Sequence, residues 1–323
     1  MVQQTRDLLE VRQVPIYFGA VAAATAVALL VQGTDSLDAA INPALAFMLF
    51  VTFLQVPLSD LGRAFTSWRF MVPLLAANFL AIPLVVVALL QFLPIDPLIR
   101  LGVLLVLLTP CIDYVVTFAQ LGRADAKLLL AATPALLLFQ MALLPVYLSL
   151  FLDEVAARLV QVGPFLHAFL WLIAVPLALA GVVQLWAGRA PSGARAASIL
   201  RVLPVPATAL VLFVVVATVV PQLAQARNAV LTVVPFYIAF ALIAPFVGWW
   251  VARLAGLQGS EARGVAFSAA TRNSLVVLPL ALAVPGAVPV LPAVIVAQTL
   301  VELLSELVYV RAIPRLGNKI TPA

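Results

Sequence analysis

Residues 109–123 read TPCIDYVVTFAQLGR and residues 268–274 read SAATRNS. Each stretch lies inside a long apolar run. A helix crossing a bilayer satisfies its backbone internally, so a proline or a polar cluster within it marks a place where the helix is interrupted. The first stretch puts Pro110 beside the one cysteine of the chain, Cys111, with a carboxylate at Asp113. The second puts Arg272 between Thr271 and Asn273, with Ser274 next. A central Asp or Arg costs about 3 kcal/mol on insertion scales and as a rule faces a cavity or a partner.

Outward from these stretches the chain stays apolar. Of 323 residues, 65% are hydrophobic and 10% charged, and mean hydropathy is +1.17. A soluble domain is nearer half apolar and a quarter charged, so the chain reads as an integral membrane protein. The runs are too long for barrel strands, which alternate over about ten residues. The expected fold class is all-α, a bundle of transmembrane helices. Ten runs reach the roughly 20 residues a span needs: 13–32, 37–57, 68–93, 98–121, 126–152, 162–187, 202–221, 229–251, 262–284 and 288–312. Short polar joints separate them, such as GTDS at 33–36 and AGRAPSGARAAS at 187–198. No soluble domain is expected. The N-terminal MVQQTRDLLEVRQ carries acidic residues and does not read as a removable signal peptide.

The net charge of +5 comes from basic residues in the joints, where topology accounts for them without a nucleic-acid partner. With a cytoplasmic N-terminus, fourteen of the 18 basic residues are inside, from Arg6 and Arg12 to Arg315 and Lys319. Three are outside (Arg100, Arg158, Arg227), and Arg272 is within a span. This bias predicts a multi-pass protein of the cell (plasma or inner) membrane with both termini in the cytoplasm. Ten spans divide into two sets of five, about 12–152 and about 162–312. An odd number per half forces opposite orientations, the arithmetic of two inverted five-helix repeats. The interrupted stretches fall in the fourth span of each half, spans 4 and 9. Paired broken helices of this kind point to a transport site.

Pro110 removes a helix hydrogen bond, so Thr109, Asp113 and Tyr114 are placed to meet freed backbone groups or a substrate. Asp113 reads as a cap or structural partner, or as a site carboxylate. Arg272 lies about 10 residues, roughly 15 Å, into its span, too deep to snorkel easily. If the two breaks meet, Asp113 and Arg272 neutralise one another. Cys111 reads as a small packing residue or as a ligand for a soft, thiophilic species. Glu302 and Glu306 lie one turn apart in the last span. Glu302, the deeper, is the expected proton- or cation-binding residue, and Glu306 is expected at the interface or paired with Arg311. Asn42, Gln55, Asn78 and Gln140 are expected to join helices, and His167 to hydrogen-bond at the interface. A single histidine excludes a His-based metal site and a Ser-His-Asp triad. A carboxylate beside a thiol makes a poor nucleophile pair, and no GxxxxGK[ST] sequence occurs. Neither enzyme activity nor any metal or cofactor is expected.

At these residues the chain resembles the bile acid:sodium symporter superfamily, most of all its arsenite-permease branch, over nearly its whole length. That branch carries Pro-Cys at the fourth-span break, here Pro110-Cys111, and Val-Glu in the last span, here Val301-Glu302. VTFLQVPLSDL at 51–61 is similar to the superfamily's second-span exit. The resemblance implies a core of spans 3, 4, 5, 8, 9 and 10, in which the two broken helices cross. It implies a panel of spans 1, 2, 6 and 7, with the substrate cavity between core and panel. The residues implied at the transport site are Thr109, Cys111, Asp113, Tyr114, Thr271, Arg272, Asn273, Ser274 and Glu302, with Pro110 making the break.

The chain departs from the family at the ninth-span break. Arsenite permeases have Asn-Asn-Phe-Glu where this chain has Arg272-Asn273-Ser274-Leu275. Sodium-coupled members have a sodium-binding Glu at the position of Ser268 and a sodium-binding Gln at Arg272. They have a Ser-Asn pair at Asp113-Tyr114. A guanidinium in place of a sodium ligand repels Na⁺. The expected function is therefore a secondary transporter working by alternating access and independent of sodium. Arg272 supplies a fixed charge countered by Asp113, and protons couple through Asp113 or Glu302. The expected process is efflux of arsenite or antimonite, with Cys111 as soft ligand. The other transport reading is a small organic anion held by Arg272 and the half-helix N-termini. A third reading is a non-transporting receptor of the same fold. The expected partners are a small-molecule or oxyanion substrate and membrane lipid.

Overall fold

The computed structural model describes residues 2–55, 67–112, 114–152, 163, 167, 170–223, 225–282, 284 and 286–316. Among these the regular structure is helical and contains no strand. In chain order the helices are α1 (Val2–Leu30), α2 (Asp38–Phe53), α3 (Trp68–Leu90), α4 (Pro97–Leu107), α5 (Val115–Leu121), α6 (Ala126–Phe151), α7 (Leu170–Ala187), α8 (Pro191–Leu200), α9 (Pro204–Leu223), α10 (Arg227–Leu254), α11 (Gly259–Ala270), α12 (Ser274–Leu282) and α13 (Val290–Ala312).

Seven helices among the described residues are long and apolar enough to cross a membrane: those at Gln4–Leu30, Trp68–Leu90, Ala126–Phe151, Leu170–Ala187, Pro204–Gln222, Arg227–Leu254 and Val290–Arg315. The remaining three expected spans take another form. The run 37–57 is described only to residue 55, and its helix α2 has 16 residues. The run 98–121 divides into α4 and α5, and the run 262–284 divides into α11 and α12. The second half of VTFLQVPLSDL lies outside the described residues.

The joint expected at 187–198 is instead mostly helix α8. Pro191 starts it at a position that needs no N–H, and the alanines that follow are strong helix formers. It folds back on α7 through Gly193, where an added Cβ would lie 2.6 Å from the Trp186 backbone.

The chain clusters into two compact units. The first comprises Met1–Leu58, Leu159–Asn228 and Leu278–Val296. In it α9 packs along α1 and α2, and α7 packs on α2 and α8. The end of α2 is closed by side chains from elsewhere in the unit. Gln184 Nε2 donates to Phe53 O at 3.2 Å and Arg201 Nε to Leu54 O at 3.3 Å. These are orphan carbonyls of a helix C-terminus, where donors and positive charge are favoured.

The second unit comprises Ser59–Arg158, Ala229–Val277 and Ala297–Ala323. Helix α11 lies at its centre. Ala262 and the whole run Gly264–Ala270 are buried, as expected of a helix that is small and apolar all round. Helix α10 approaches it at Gly248, where a Cβ would come within 2.5 Å of Ala269 Cβ.

Two prolines in this unit are compensated in the same way. Pro83 in α3 and Pro245 in α10 have no N–H for the carbonyl four residues back, Phe79 and Ala241. Tyr147 Oη of α6 donates to Phe79 O, and Tyr309 Oη of α13 donates to Ala241 O. Each tyrosine lies 68 residues beyond the carbonyl it serves.

Candidate functional site

The site is assembled in the second unit by the two interrupted helices. Helix α4 starts at Asp96, whose side chain accepts from Leu98 N and Ile99 N at 3.0 Å, with Pro97 at its first position. It stops at Leu107, because Pro110 can supply no N–H to continue it. Thr109 Oγ1 takes up part of the freed backbone, lying 2.8 Å from Leu105 O and 2.9 Å from Val106 O. Helix α11 stops at Ala270, and Thr271 is extended at φ −99, ψ 127.

The two breaks lie against each other. Cys111 N donates to Thr271 O at 3.0 Å and Asn273 N donates to Thr109 O at 2.8 Å, bridging Pro110 and Arg272 in antiparallel register. Asn273 Oδ1 then accepts from Val276 N at 3.3 Å and opens α12. Ser274 Oγ meets Thr299 Oγ1 at 2.8 Å. Unpaired backbone groups cost several kcal/mol in a bilayer, so breaks of this kind persist only when they serve one another.

Arg272 is fully buried. Its Nη2 sits among three oxygens: Asn78 Oδ1 at 2.8 Å, Ser268 O at 2.6 Å and Ala269 O at 2.7 Å. Nη1 lies 3.4 Å from Leu107 O, and the Phe240 ring faces the guanidinium with its centroid 5.6 Å from Cζ. Ser268, Ala269 and Leu107 supply C-terminal carbonyls of α11 and α4, the negative ends of two half-helices. The charge is therefore met by helix ends, an amide and a ring face. Among the described residues no carboxylate lies within ion-pair distance of it. Asp113, expected as its counter-charge, lies outside the described residues.

Glu302 occupies the other side of the second break, almost fully buried. Its Oε2 accepts from Arg272 N and from Gln298 Nε2, both at 2.6 Å, and its Oε1 accepts from Tyr114 Oη. A second carboxylate, Glu306, is also fully buried, with Oε1 at 2.5 Å from Thr271 Oγ1. The expectation that Glu306 lies at the interface or pairs with Arg311 is overturned. Arg311 is exposed and bonds to Leu307 O, while Glu306 repeats the face of Glu302 one turn along α13 and so faces the same break.

Of the residues expected at the site, Thr109, Pro110, Cys111, Tyr114, Thr271, Arg272, Asn273, Ser274 and Glu302 come together here. The Cys111 thiol is buried and in no disulfide. Asn78 joins helices as expected, donating to Ser268 Oγ at 2.9 Å, and it also holds Arg272. It projects from a π turn at Ala77–Ala81, a distortion frequent at functional sites. Gln140, also expected to join helices, is buried with both amide atoms unpartnered among the described residues. Sequence reasoning missed Gln298 and Phe240 and misplaced Glu306. Gln298 was legible, since Gln298, Glu302 and Glu306 recur every four residues on one face of α13. Nothing in the sequence marks Phe240, which tertiary packing brings to Arg272.

Beside Glu302 lies a small cavity of about 10 Å³, about the least that holds one water. Tyr237, Phe240, Gln298 and Tyr309 line it, and the Tyr237 hydroxyl and Gln298 Oε1 have no partner among the described residues. Among the described residues no three His, Cys, Asp or Glu side chains gather as a metal set.

The sodium bile acid symporter family model matches residues 42–228, more than half of the chain. The match includes Asn78 and the first break, while Arg272 and Glu302 lie beyond it. No curated protein gives a significant match. With its apolar spanning helices and two helix breaks paired at buried polar residues, the chain belongs to the sodium bile acid symporter family and is a multi-pass membrane transporter.

Proposed function

We propose that the protein is a secondary transporter of ten spans in two inverted five-helix repeats, working by alternating access without sodium. One observation carries this reading. The buried Nη2 of Arg272 is surrounded by three oxygens at 2.6–2.8 Å, a donor set of the kind that holds a small cation, and the cation there belongs to the chain. A second positive ion at that point meets repulsion and no vacant ligand. The same engagement turns Nη2 away from a substrate anion, while Nε is buried without a partner among the described residues.

Spacing supports the repeat. Phe79, Pro83 and Tyr147 each precede Ala241, Pro245 and Tyr309 by the same 162 residues. The identical interval relates Pro110 to Arg272, and the backbone bond from Cys111 to Thr271 to that from Asn273 to Thr109. The panel is then α1, α2, α7 and α9, and the core contains both breaks.

The substrate is arsenite or antimonite, moved out of the cell, with protons as coupling ion. Cys111 and Glu302, the two positions carrying the arsenite-permease resemblance, lie at the paired breaks although 191 residues separate them. A soft, thiophilic oxide suits a buried thiol. The test is arsenite uptake into everted vesicles carrying Cys111→Ser. A fall of at least tenfold is expected, and unchanged uptake removes the thiol from the mechanism.

A further inference from the structure

The hydrogen bonds at the second break are all met when one carboxyl group holds a hydrogen. Thr271 Oγ1 lies 2.7 Å from Phe267 O and 2.5 Å from Glu306 Oε1. A hydroxyl has one hydrogen and a carbonyl can only accept. With Thr271 donating to Phe267 O, the shorter contact is a hydrogen bond only if Glu306 supplies the hydrogen. Glu302 is the opposite case. Three donors already point at its two oxygens, from Tyr114, Gln298 and the Arg272 backbone, which suits a carboxylate.

Two further observations agree. Glu306 Oε2 is buried without any donor among the described residues. As half of an ionised carboxylate it is a costly orphan, and as the carbonyl oxygen of an acid it is a modest one. The charges also close. Arg272 and Glu302 sum to zero, and no Lys, Arg or His among the described residues lies within ion-pair distance of Glu306 to offset another anion. The titratable groups gathered here are Glu302 and Tyr309 on α13, Arg272 at the second break, Tyr114 and Cys111 at the first, and Tyr237 on α10. Asp113 lies outside the described residues. The unpartnered Tyr237 hydroxyl and Gln298 Oε1 face the cavity beside Glu302, where polar groups of this kind favour water.

We propose that Glu306 is the proton-binding residue, carrying an exchangeable proton on Oε1 against Thr271, while Glu302 remains ionised to balance Arg272. When Glu306 releases the proton to water, the Thr271 hydroxyl turns from Phe267 O to donate to the new carboxylate. Thr271 O holds Cys111 N, so proton loss alters bonding one residue from the cysteine. The role in transport rests on the proton-coupled reading above, whereas the protonation itself does not.

Infrared difference spectra of the purified protein across a pH step test it. The wild type is expected to show the C=O stretch of a protonated carboxylic acid, shifted in heavy water, absent in Glu306→Gln and kept in Glu302→Gln. Glutamine copies the shape of the acid form, so Glu306→Gln keeps the wild-type unfolding temperature and Glu302→Gln lowers it. If Glu302→Gln does not fold, the spectrum of Glu306→Gln decides alone. No such band in the wild type, or one that persists in Glu306→Gln, overturns the assignment. In arsenite-loaded proteoliposomes, Glu306→Gln is expected to exchange arsenite yet lose transport driven by a pH gradient. Retained pH-driven transport overturns its coupling role. A wild type that ignores the gradient, while still showing the band, overturns proton coupling and leaves the protonation standing.

Discussion

At the scale of single residues the chain is governed by how it accommodates one buried arginine. A cation at this depth is tolerated because α4 and α11 end around it and because Asn78 and Phe240 complete the shell. Arg272→Ala removes the charge and leaves Asn78 Oδ1 without its donor and Glu302 without its balance. Leaving a buried polar group unmet costs about 1–3 kcal/mol, and a loss in this range is expected on thermal unfolding in detergent. Sodium chloride, compared with choline chloride at equal ionic strength, should recover part of that loss in the variant and none in the wild type. A variant as stable as the wild type would refute the role given to Arg272. The sequence marked Arg272 as a charge within an apolar run, at a position where the resemblance implied a sodium ligand. It did not show the partners, because carbonyl ends from two helices carry no side-chain signature.

At the scale of elements the fold depends on repairing its own interruptions. Pro83 and Pro245 each strand a carbonyl, and a tyrosine from another helix meets it. Tyr309→Phe leaves Ala241 O unmet, with an expected cost of about 1–3 kcal/mol. Pro245→Ala restores an N–H to that carbonyl, so the double variant Tyr309→Phe/Pro245→Ala should regain most of the loss. Thermal unfolding of the two single variants and the double one checks this, and strictly additive losses would contradict it. The breaks at Pro110 and near Arg272 were legible as polar residues within apolar runs. Their antiparallel pairing was not, since backbone bonds leave no trace in side-chain patterning. Helix α8 was missed because its Gly, Ser and Arg content resembles a joint.

At the scale of the whole molecule, composition pointed to a membrane protein and the length of its apolar runs to helices. The long apolar runs account for seven spanning helices among the described residues. The recurring 162-residue interval was hidden because the residues it relates differ in kind: Asn78 answers to Phe240, and Gln140 to Glu302. Gln140 is buried with its amide atoms unpartnered among the described residues, whereas Glu302 accepts from Arg272 N. In this account Arg272 places a cation of the protein's own at the paired breaks. Binding of radioactive sodium to the purified wild-type protein at constant ionic strength tests that claim most directly. The account predicts no saturable binding, and saturable sodium binding by the wild type would contradict it.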